Sequence, residues 1–314
     1  MSKKEFIRTL CIFCKSKPTL SLLGLTDYWH CPDCGIAWVK KIPKVEYGDM
    51  YYKGKSTLAS RVFAPIGKTF YSLRSTYAGN GGKKVWIDVG AGDGGFLSTV
   101  AAKKKIGVEV SSSGRKIMQQ NGLDTLTDRQ FLKSKGLNAD IISFWHVLEH
   151  VEKPWEYLES AKRNLKKNGK IIIGIPNIDS FEFKYAKKYW FHLQPQFHLW
   201  HFTPKSVKKL LDITGFTVNK IDHWSIEHHP TGVLQSFINK SSGSSENVLH
   251  KLIKRGTGKS HLAPKDIFWV GFWTSIGSPI IFSFWLGGSI FRKAGTIVVV
   301  ASKSAYKFSS PKIK

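Results

Sequence analysis

The stretch "KKVWIDVGAGDGGF", residues 83–96, constrains this chain more than any other. Residues 85–89 are a short apolar run with β-branched side chains, the pattern of a buried strand. Gly90, Gly92, Gly94 and Gly95 follow at once, and "FLSTVAAKK" then reads as a helix. A strand that enters a glycine turn and leaves as a helix is where backbone approaches a nucleotide cofactor closely. It implies an open α/β sheet with its ligand at the carboxyl ends of the strands.

Two cofactor classes fit the loop itself. Gly90, Gly92 and Gly95 satisfy the G-x-G-x-x-G spacing of dinucleotide sites. The next strand, "KIGVEV" at 105–110, ends near Glu109, an acid able to accept hydrogen bonds from the ribose of NAD or of S-adenosylmethionine. Asp88 separates the two. It lies two residues before the first glycine, where a carboxylate suits the amino-acid end of S-adenosylmethionine and opposes an anionic pyrophosphate. No Tyr-x-x-x-Lys pair follows the loop, so one common nicotinamide chemistry lacks its catalytic pair.

The downstream pattern separates them further. "ADIISFWHVLEHVEKPWEYLESAKRNLKKNGKIIIGIPN", 139–177, predicts a strand over 140–145, a helix over 154–167, a turn at Asn168-Gly169 and a strand over 170–175. Pro154 suits a first helical turn, and Asn-Gly after a lysine-rich turn suits the exit. On these residues the chain resembles the class I S-adenosylmethionine-dependent methyltransferases. It is similar to the bacterial branch with D-V-G-x-G-x-G, V-L-E-H-V, L-K-x-x-G, P-N and H-x-x-H-F-T. These stand here at Asp88 to Gly94, Val147 to Val151, Leu165 to Gly169, Pro176-Asn177 and His198 to Thr203. The likeness covers about residues 47–302 with one large insertion, and Ala91 and Asp93 replace the commoner Cys and Thr of the loop.

The resemblance implies a doubly wound, seven-stranded Rossmann-like sheet whose last strand is antiparallel, with residues 215–224 as the sixth strand and 295–304 as the seventh. It implies S-adenosylmethionine as cofactor, held by Asp88, Gly90, Gly92, Gly94, Glu109, Asp128 and Trp145, with Asp128 at the adenine edge. Methyl transfer is an in-line displacement in which the protein supplies positioning, plus a base when the acceptor is a hydroxyl. His146, His150, His198 and His201 are the candidate bases, with Glu149 beside them. Each also has a plain packing or capping reading. A metal site on these histidines is not expected, because no carboxylate pattern accompanies them.

All four cysteines lie near the N-terminus, as Cys11-x-x-Cys14 and Cys31-x-x-Cys34. Two such pairs at this separation form a zinc-site pattern, and four thiolates close a tetrahedral, structural site. Two disulfides are the alternative, and nothing in the sequence points to secretion. The N-terminus lacks an apolar signal segment, so the cytosol is the expected compartment. The expected organisation is a zinc ribbon over 1–45, a basic helical lid or linker over 46–80 that includes Tyr51 and Tyr52, a methyltransferase domain over 81–304 and a basic tail over 305–314. "NKSSGSSEN", 239–247, reads as a flexible loop.

Residues 267–291, "IFWVGFWTSIGSPIIFSFWLGGSIF", are uncharged and long enough to cross a bilayer. They fall inside an insertion at about 230–293, between two strands of one sheet, so both ends must lie on one side of any membrane. Lysines and arginines flank both ends, and Pro279 favours a bend. The expectation is a helix–bend–helix that dips into one leaflet, with a cap over the fold as the alternative. A net charge of +26 adds an anionic partner: a lipid surface, phosphorylated substrates or nucleic acid.

The expected function is therefore S-adenosylmethionine-dependent methyl transfer to a small-molecule or a lipid- or glycan-linked acceptor at the cytoplasmic membrane face. The resemblance tilts this toward envelope polysaccharide pathways. The alternatives are an RNA methyltransferase, an NAD-binding oxidoreductase, or a binding module that has lost its chemistry.

Overall fold

The computed structural model describes residues 10–19, 25, 27–42, 69–79, 82–225, 229–249 and 263–304. The strands, in chain order, are β1 (Tyr28–His30), β2 (Ala37–Val39), β3 (Val85–Val89), β4 (Lys104–Val108), β5 (Asp124–Leu126), β6 (Ala139–Trp145), β7 (Leu165–Pro176), β8 (Trp200–His201), β9 (Phe216–Asp222) and β10 (Thr296–Lys303). Seven of them form one sheet in the order β5-β4-β3-β6-β7-β10-β9. Neighbours from β5 to β7 are parallel, and β10 is antiparallel to both β7 and β9. The expected fold is thus the observed one.

The centre of this sheet is buried on both faces, which requires near-continuous apolar runs rather than alternation. Ile171, Ile172, Ile173 and Ile175 of β7 meet that requirement, as do Ile297, Val298 and Val299 of β10. The helices that cover it are α1 (Gly95–Thr99), α2 (Ser112–Gln120), α3 (Asp128–Lys133), α4 (Pro154–Asn164), α5 (Phe181–Ala186) and α6 (Pro204–Ile213). Helix α4 stops at Asn164, short of the expected 167, and β7 begins at once with Leu165. Two local facts explain this. The buried Asn164 amide is tied to Ser134 and Ser160, and Leu165 pairs with Ala139 before a register shift carries Lys170 opposite Ile141.

The cysteine-bearing segment does not stand apart. Strands β1, β2 and β8 form a second, antiparallel sheet in which Ala37 pairs with His201 and Trp38 with Trp200. The Thr203 hydroxyl donates to the Cys34 carbonyl at 2.9 Å, and Phe13 stacks on Trp200 with centroids 5.9 Å apart. Its apolar side chains join the same core cluster as the sheet.

Between β9 and β10 lie α7 (His229–Ser242), α8 (Pro264–Thr274) and α9 (Ser278–Ile290). Helices α8 and α9 are bent by 66° at the expected break, with Pro279 in the first turn of α9. Among the described residues no single helix is long and apolar enough to cross a membrane. Asp222 pairs with Val298, and Thr296 pairs with Pro176. The insertion therefore leaves and re-enters at one edge of the sheet, beside the carboxyl end of β7. The expectation of a loop over 239–247 is corrected: residues 239–242 finish α7. The buried Asn239 amide donates to the Tyr189 carbonyl and to Asn247, so polar composition there serves internal hydrogen bonds. Most of the expected lid, Tyr51 and Tyr52 included, and the basic tail lie outside the described residues; 69–76 are helical.

Candidate functional site

In the sheet order, β3 lies between β4 and β6, so the chain reverses direction around it. That reversal opens a crevice at the carboxyl ends of β3 and β6, the usual ligand position in such sheets. Asp88 is buried there, and its Oδ1 accepts from the Ser143 hydroxyl at 2.6 Å. Ser143 in turn accepts from the Trp86 indole at 2.8 Å. Burial raises the Asp88 carboxyl to about 7, against the pull of the Ser143 bond and of the Arg74 charge; the nearby Glu109 raises it further. This carboxylate is incompletely compensated, so a cationic amine is the ligand that suits it.

The loop that follows is held from below. Gly90 has φ +73°, and a Cβ there would collide with the Val147 side chain, so the glycine loop rests on the turn after β6. Gly92, at φ +64°, donates its N–H to Glu109 Oε2 at 2.9 Å. Glu109 Oε1 accepts from the Ser111 N–H, also at 2.9 Å. The acid expected at the ribose therefore stands beside the loop with its carboxylate oriented by backbone. Gly94 caps α1 in the left-handed region. Asp128 opens α3 and accepts from the Tyr157 hydroxyl at 2.6 Å. Trp145 ends β6 against Phe96 and Tyr77, and the Arg74 guanidinium lies over its ring at 4.8 Å.

Beyond β6 the chain turns through His146, whose φ of +56° is uncommon for a non-glycine residue and tends to mark functional sites. His146 Nδ1 lies 3.1 Å from Glu149 Oε1, and its ring stacks on His192 at 5.9 Å. His150 Nδ1 lies 3.0 Å from the Phe197 carbonyl, and His198 Nδ1 lies 2.6 Å from the His192 carbonyl. The His150 and His198 rings meet edge to face at 4.5 Å. Burial holds His198 well below the ordinary imidazole range, reinforced by the neighbouring His150, His201 and His192. His201, in β8, packs against the rings of Tyr28 and Trp190, and burial takes it down to about 3. Both histidines are neutral near pH 7. The structure thus gathers His146, Glu149, His150 and His198 on one side of the crevice and sets His201 in the aromatic wall behind them.

Four cysteine thiols form a second cluster. Cys11 Sγ and Cys34 Sγ are 3.6 Å apart and Cys14 Sγ and Cys31 Sγ 3.3 Å apart, with all four ligand atoms within 4.8 Å. These separations are far longer than a disulfide bond and near the ~3.8 Å between thiolates of a tetrahedral zinc site. The four residues supply the number, type and proximity of donors that a metal ion needs.

Sequence reasoning missed Arg74, Ser143 and His192. Arg74 lies in a basic stretch with no motif. Ser143 is one small residue inside an apolar strand. His192 carried a signal, since it opens a run of three histidines with His198 and His201.

A doubly wound sheet with buried carboxylates around a glycine loop at its reversal point defines a nucleotide-cofactor α/β enzyme. The comparison with known families is more specific: residues 67–221, about half of the chain, match the methyltransferase-domain family, and the chain carries a methyltransferase domain. An uncharacterized protein of Methanocaldococcus jannaschii is 38% identical over 96 residues, which is 30% of this chain and 46% of that protein. The chain thus spans about half the length of that relative. Among solved structures, an S-adenosylmethionine-dependent methyltransferase from Thermotoga maritima, described as a possible histamine N-methyltransferase, is 16% identical, with 82% of this chain and 95% of that chain covered and a TM-score of 0.47. A second, from Archaeoglobus fulgidus, is 19% identical, with 81% and 97% covered and a TM-score of 0.43. Likenesses at that level add nothing about substrate.

Proposed function

We propose that this protein transfers the methyl group of S-adenosylmethionine to a small-molecule or a lipid- or glycan-linked acceptor at the cytoplasmic face of a membrane. The observation that carries the reading is Asp88, buried and undercompensated beside a glycine loop whose Gly92 N–H is tied to Glu109. Asp88 would take the cofactor's ammonium and Glu109 its ribose hydroxyls, with Asp128 and Trp145 at the edges of the cofactor. S-adenosylmethionine supplies an electrophilic methyl on sulfur; the protein's part is to align the acceptor behind it. A neutral histidine of the turn after β6 or of the segment before β8 would receive the acceptor's proton where one must leave. The four cysteines would hold a structural zinc ion that fixes β2 against β8.

The membrane part rests on the hairpin. Ile267, Phe268, Ile276, Ile280, Phe282 and Phe291 are each more than half exposed, and the insertion that carries them rejoins the sheet beside the carboxyl end of β7. A peripheral or monotopic enzyme could accept a lipid-linked sugar there, as in polysaccharide biosynthesis. The net charge of +26 keeps RNA as a second acceptor class. The test is calorimetric titration with S-adenosylmethionine, followed by incorporation of labelled methyl into membrane-lipid, sugar-nucleotide and RNA fractions. Absence of cofactor binding would sink the reading. Label in RNA alone, with steep salt dependence, would replace the acceptor.

A further inference from the structure

We propose that Glu149, His150 and His198 form a binding site for a divalent first-row transition ion, separate from the cysteine cluster. Glu149 and His150 are neighbours in sequence, and the fold brings His198 to them. Each of the three residues offers a ligand atom, and these atoms lie within 4.8 Å of one another. They come from chain segments far apart in sequence: the Leu199 N–H donates to the Glu149 carbonyl at 2.7 Å and clamps the two together.

The hydrogen bonds set the chemistry of the donors. A backbone carbonyl only accepts, so His150 Nδ1–H donates to Phe197 and His198 Nδ1–H donates to His192. Both rings are thereby held in the tautomer with a lone pair on Nε2. Metal-ligating histidines have this arrangement, in which a second-shell carbonyl fixes the ring and raises its basicity. Glu149 is 1% exposed, and His146 Nδ1–H steadies one of its oxygens. Two imidazoles and one carboxylate suit Mn²⁺, Fe²⁺ or Zn²⁺ and leave coordination positions open, unlike the closed cysteine set.

The turn that carries Glu149 and His150 also carries Val147, whose side chain lies against Gly90, so the ion site adjoins the glycine loop. An acceptor hydroxyl on the ion would be more acidic, and with His150 and His198 taken as ligands its proton would leave to water rather than to either histidine. Its oxygen would then form the new C–O bond as the S–CH₃ bond breaks and that electron pair stays on sulfur. This assigns the acceptor as an oxygen nucleophile, and that part rests on the methyltransferase reading; the ion site does not.

The test uses the full chain and Mn²⁺ alone, a hard ion that disfavours thiolates. Titration followed by electron paramagnetic resonance should show one Mn²⁺ bound per chain, with spin-echo modulation from two directly bound imidazole nitrogens. His150→Gln and His198→Gln should weaken binding by more than the roughly 10–100-fold that a lost second-shell partner costs. With the histidine site loaded with Mn²⁺, zinc held by the cysteine cluster, about one per chain, should not change. No bound Mn²⁺, or bound Mn²⁺ without nitrogen coupling, overturns the site. The wild-type spectrum decides this even where a variant fails to fold. Calorimetry with S-adenosylmethionine on the same protein separates the two readings: cofactor binding without a nitrogen-bound ion removes only the ion site, and the reverse removes only the methyltransferase reading.

Discussion

Asp88, Gly92 and Glu109 lie on consecutive strands and their turns, and each is held by backbone or by the next strand of one sheet. Glu149, His150, His198 and His201, across the crevice, come from the turn after β6, from the segment before β8, and from β8 itself. Their far wall is the cysteine-bearing segment, through the Ala37–His201 and Trp38–Trp200 pairs. The proposed cofactor side is thus a local construction, whereas the proposed acceptor side depends on tertiary contacts that a change elsewhere can undo. A chain built this way should lose the two sides separately.

The largest effect is expected from removing the cysteine cluster. Cys11→Ser with Cys34→Ser, or chelation of the proposed zinc ion, should release β2 from β8. Structural zinc sites contribute many kcal/mol to folding, so Tm should fall by about 10 °C or more. Near-ultraviolet dichroism from Trp38 and Trp200 should collapse, while S-adenosylmethionine affinity changes by less than about threefold. Equal loss of fold and cofactor binding would show that the two sides are one unit. Asp88→Asn makes the converse test. Removing one partner of a buried pair costs about 3–5 kcal/mol, or roughly 10²–10⁴-fold in cofactor affinity. Asn retains the acceptor for Ser143 and carries no buried charge, so Tm of the free protein should hold or rise at pH 8. A parallel fall of Tm and affinity would make Asp88 a structural residue.

The same contrast explains what could be read in advance. The glycine loop, Asp88 and Glu109 sit in one continuous pattern, so period and spacing placed them. The strands β6 and β7 were readable because sheets buried on both faces demand runs such as Ile171–Ile173, whereas β10 and the edge strand β9, with Thr217, Asn219 and Lys220 exposed, were placed by the resemblance. The run of histidines signals His192 and the sequence places Glu149 beside His150, but what each of them meets is set when the segment before β8 is brought beside the turn after β6, a contact that no local pattern encodes. Arg74 enters through cation–π contacts with Tyr71, Phe96 and Trp145, again a tertiary fact. Only the first part of 239–247 misled, for the opposite reason: Asn239 is buried and ties the end of a helix to Gln235 and Asn247, while 243–247 leave the helix as a loop.

The hairpin sharpens the acceptor side further. Its inner face packs on α7, with Trp273 and Phe284 against Phe237 at 4.9 and 5.1 Å, while Phe268 and Phe282 are 61% and 57% exposed. Burying one such ring in lipid is worth about 1.5–3 kcal/mol. Phe268→Ser and Phe282→Ser should each weaken co-sedimentation with anionic vesicles by about tenfold or more and leave cofactor affinity and Tm unchanged. If the variants instead change oligomeric state in light scattering and leave vesicle binding alone, the face is a contact between chains.

The smallest effect, and the most specific to the cofactor side, is the pH dependence of S-adenosylmethionine binding. The Asp88 carboxyl is raised from 3.8 to about 7 in the free protein, mainly by burial. Its contribution to stability is therefore fully present below pH 3.8 and lost as pH rises through about 7, the cost of ionising a buried group without a cation. Binding the cofactor's ammonium reverses that cost, so below pH 7 each binding event must first release a proton. Affinity should fall about tenfold between pH 8 and pH 6, or about 1.4 kcal/mol, with roughly one proton released per cofactor at the acid end. Calorimetry in two buffers of different ionisation enthalpy counts that proton. Asp88→Asn should abolish both the slope and the proton release at its lower affinity. A slope that survives in the variant would move the titrating group away from Asp88, and with it the seat of the ammonium.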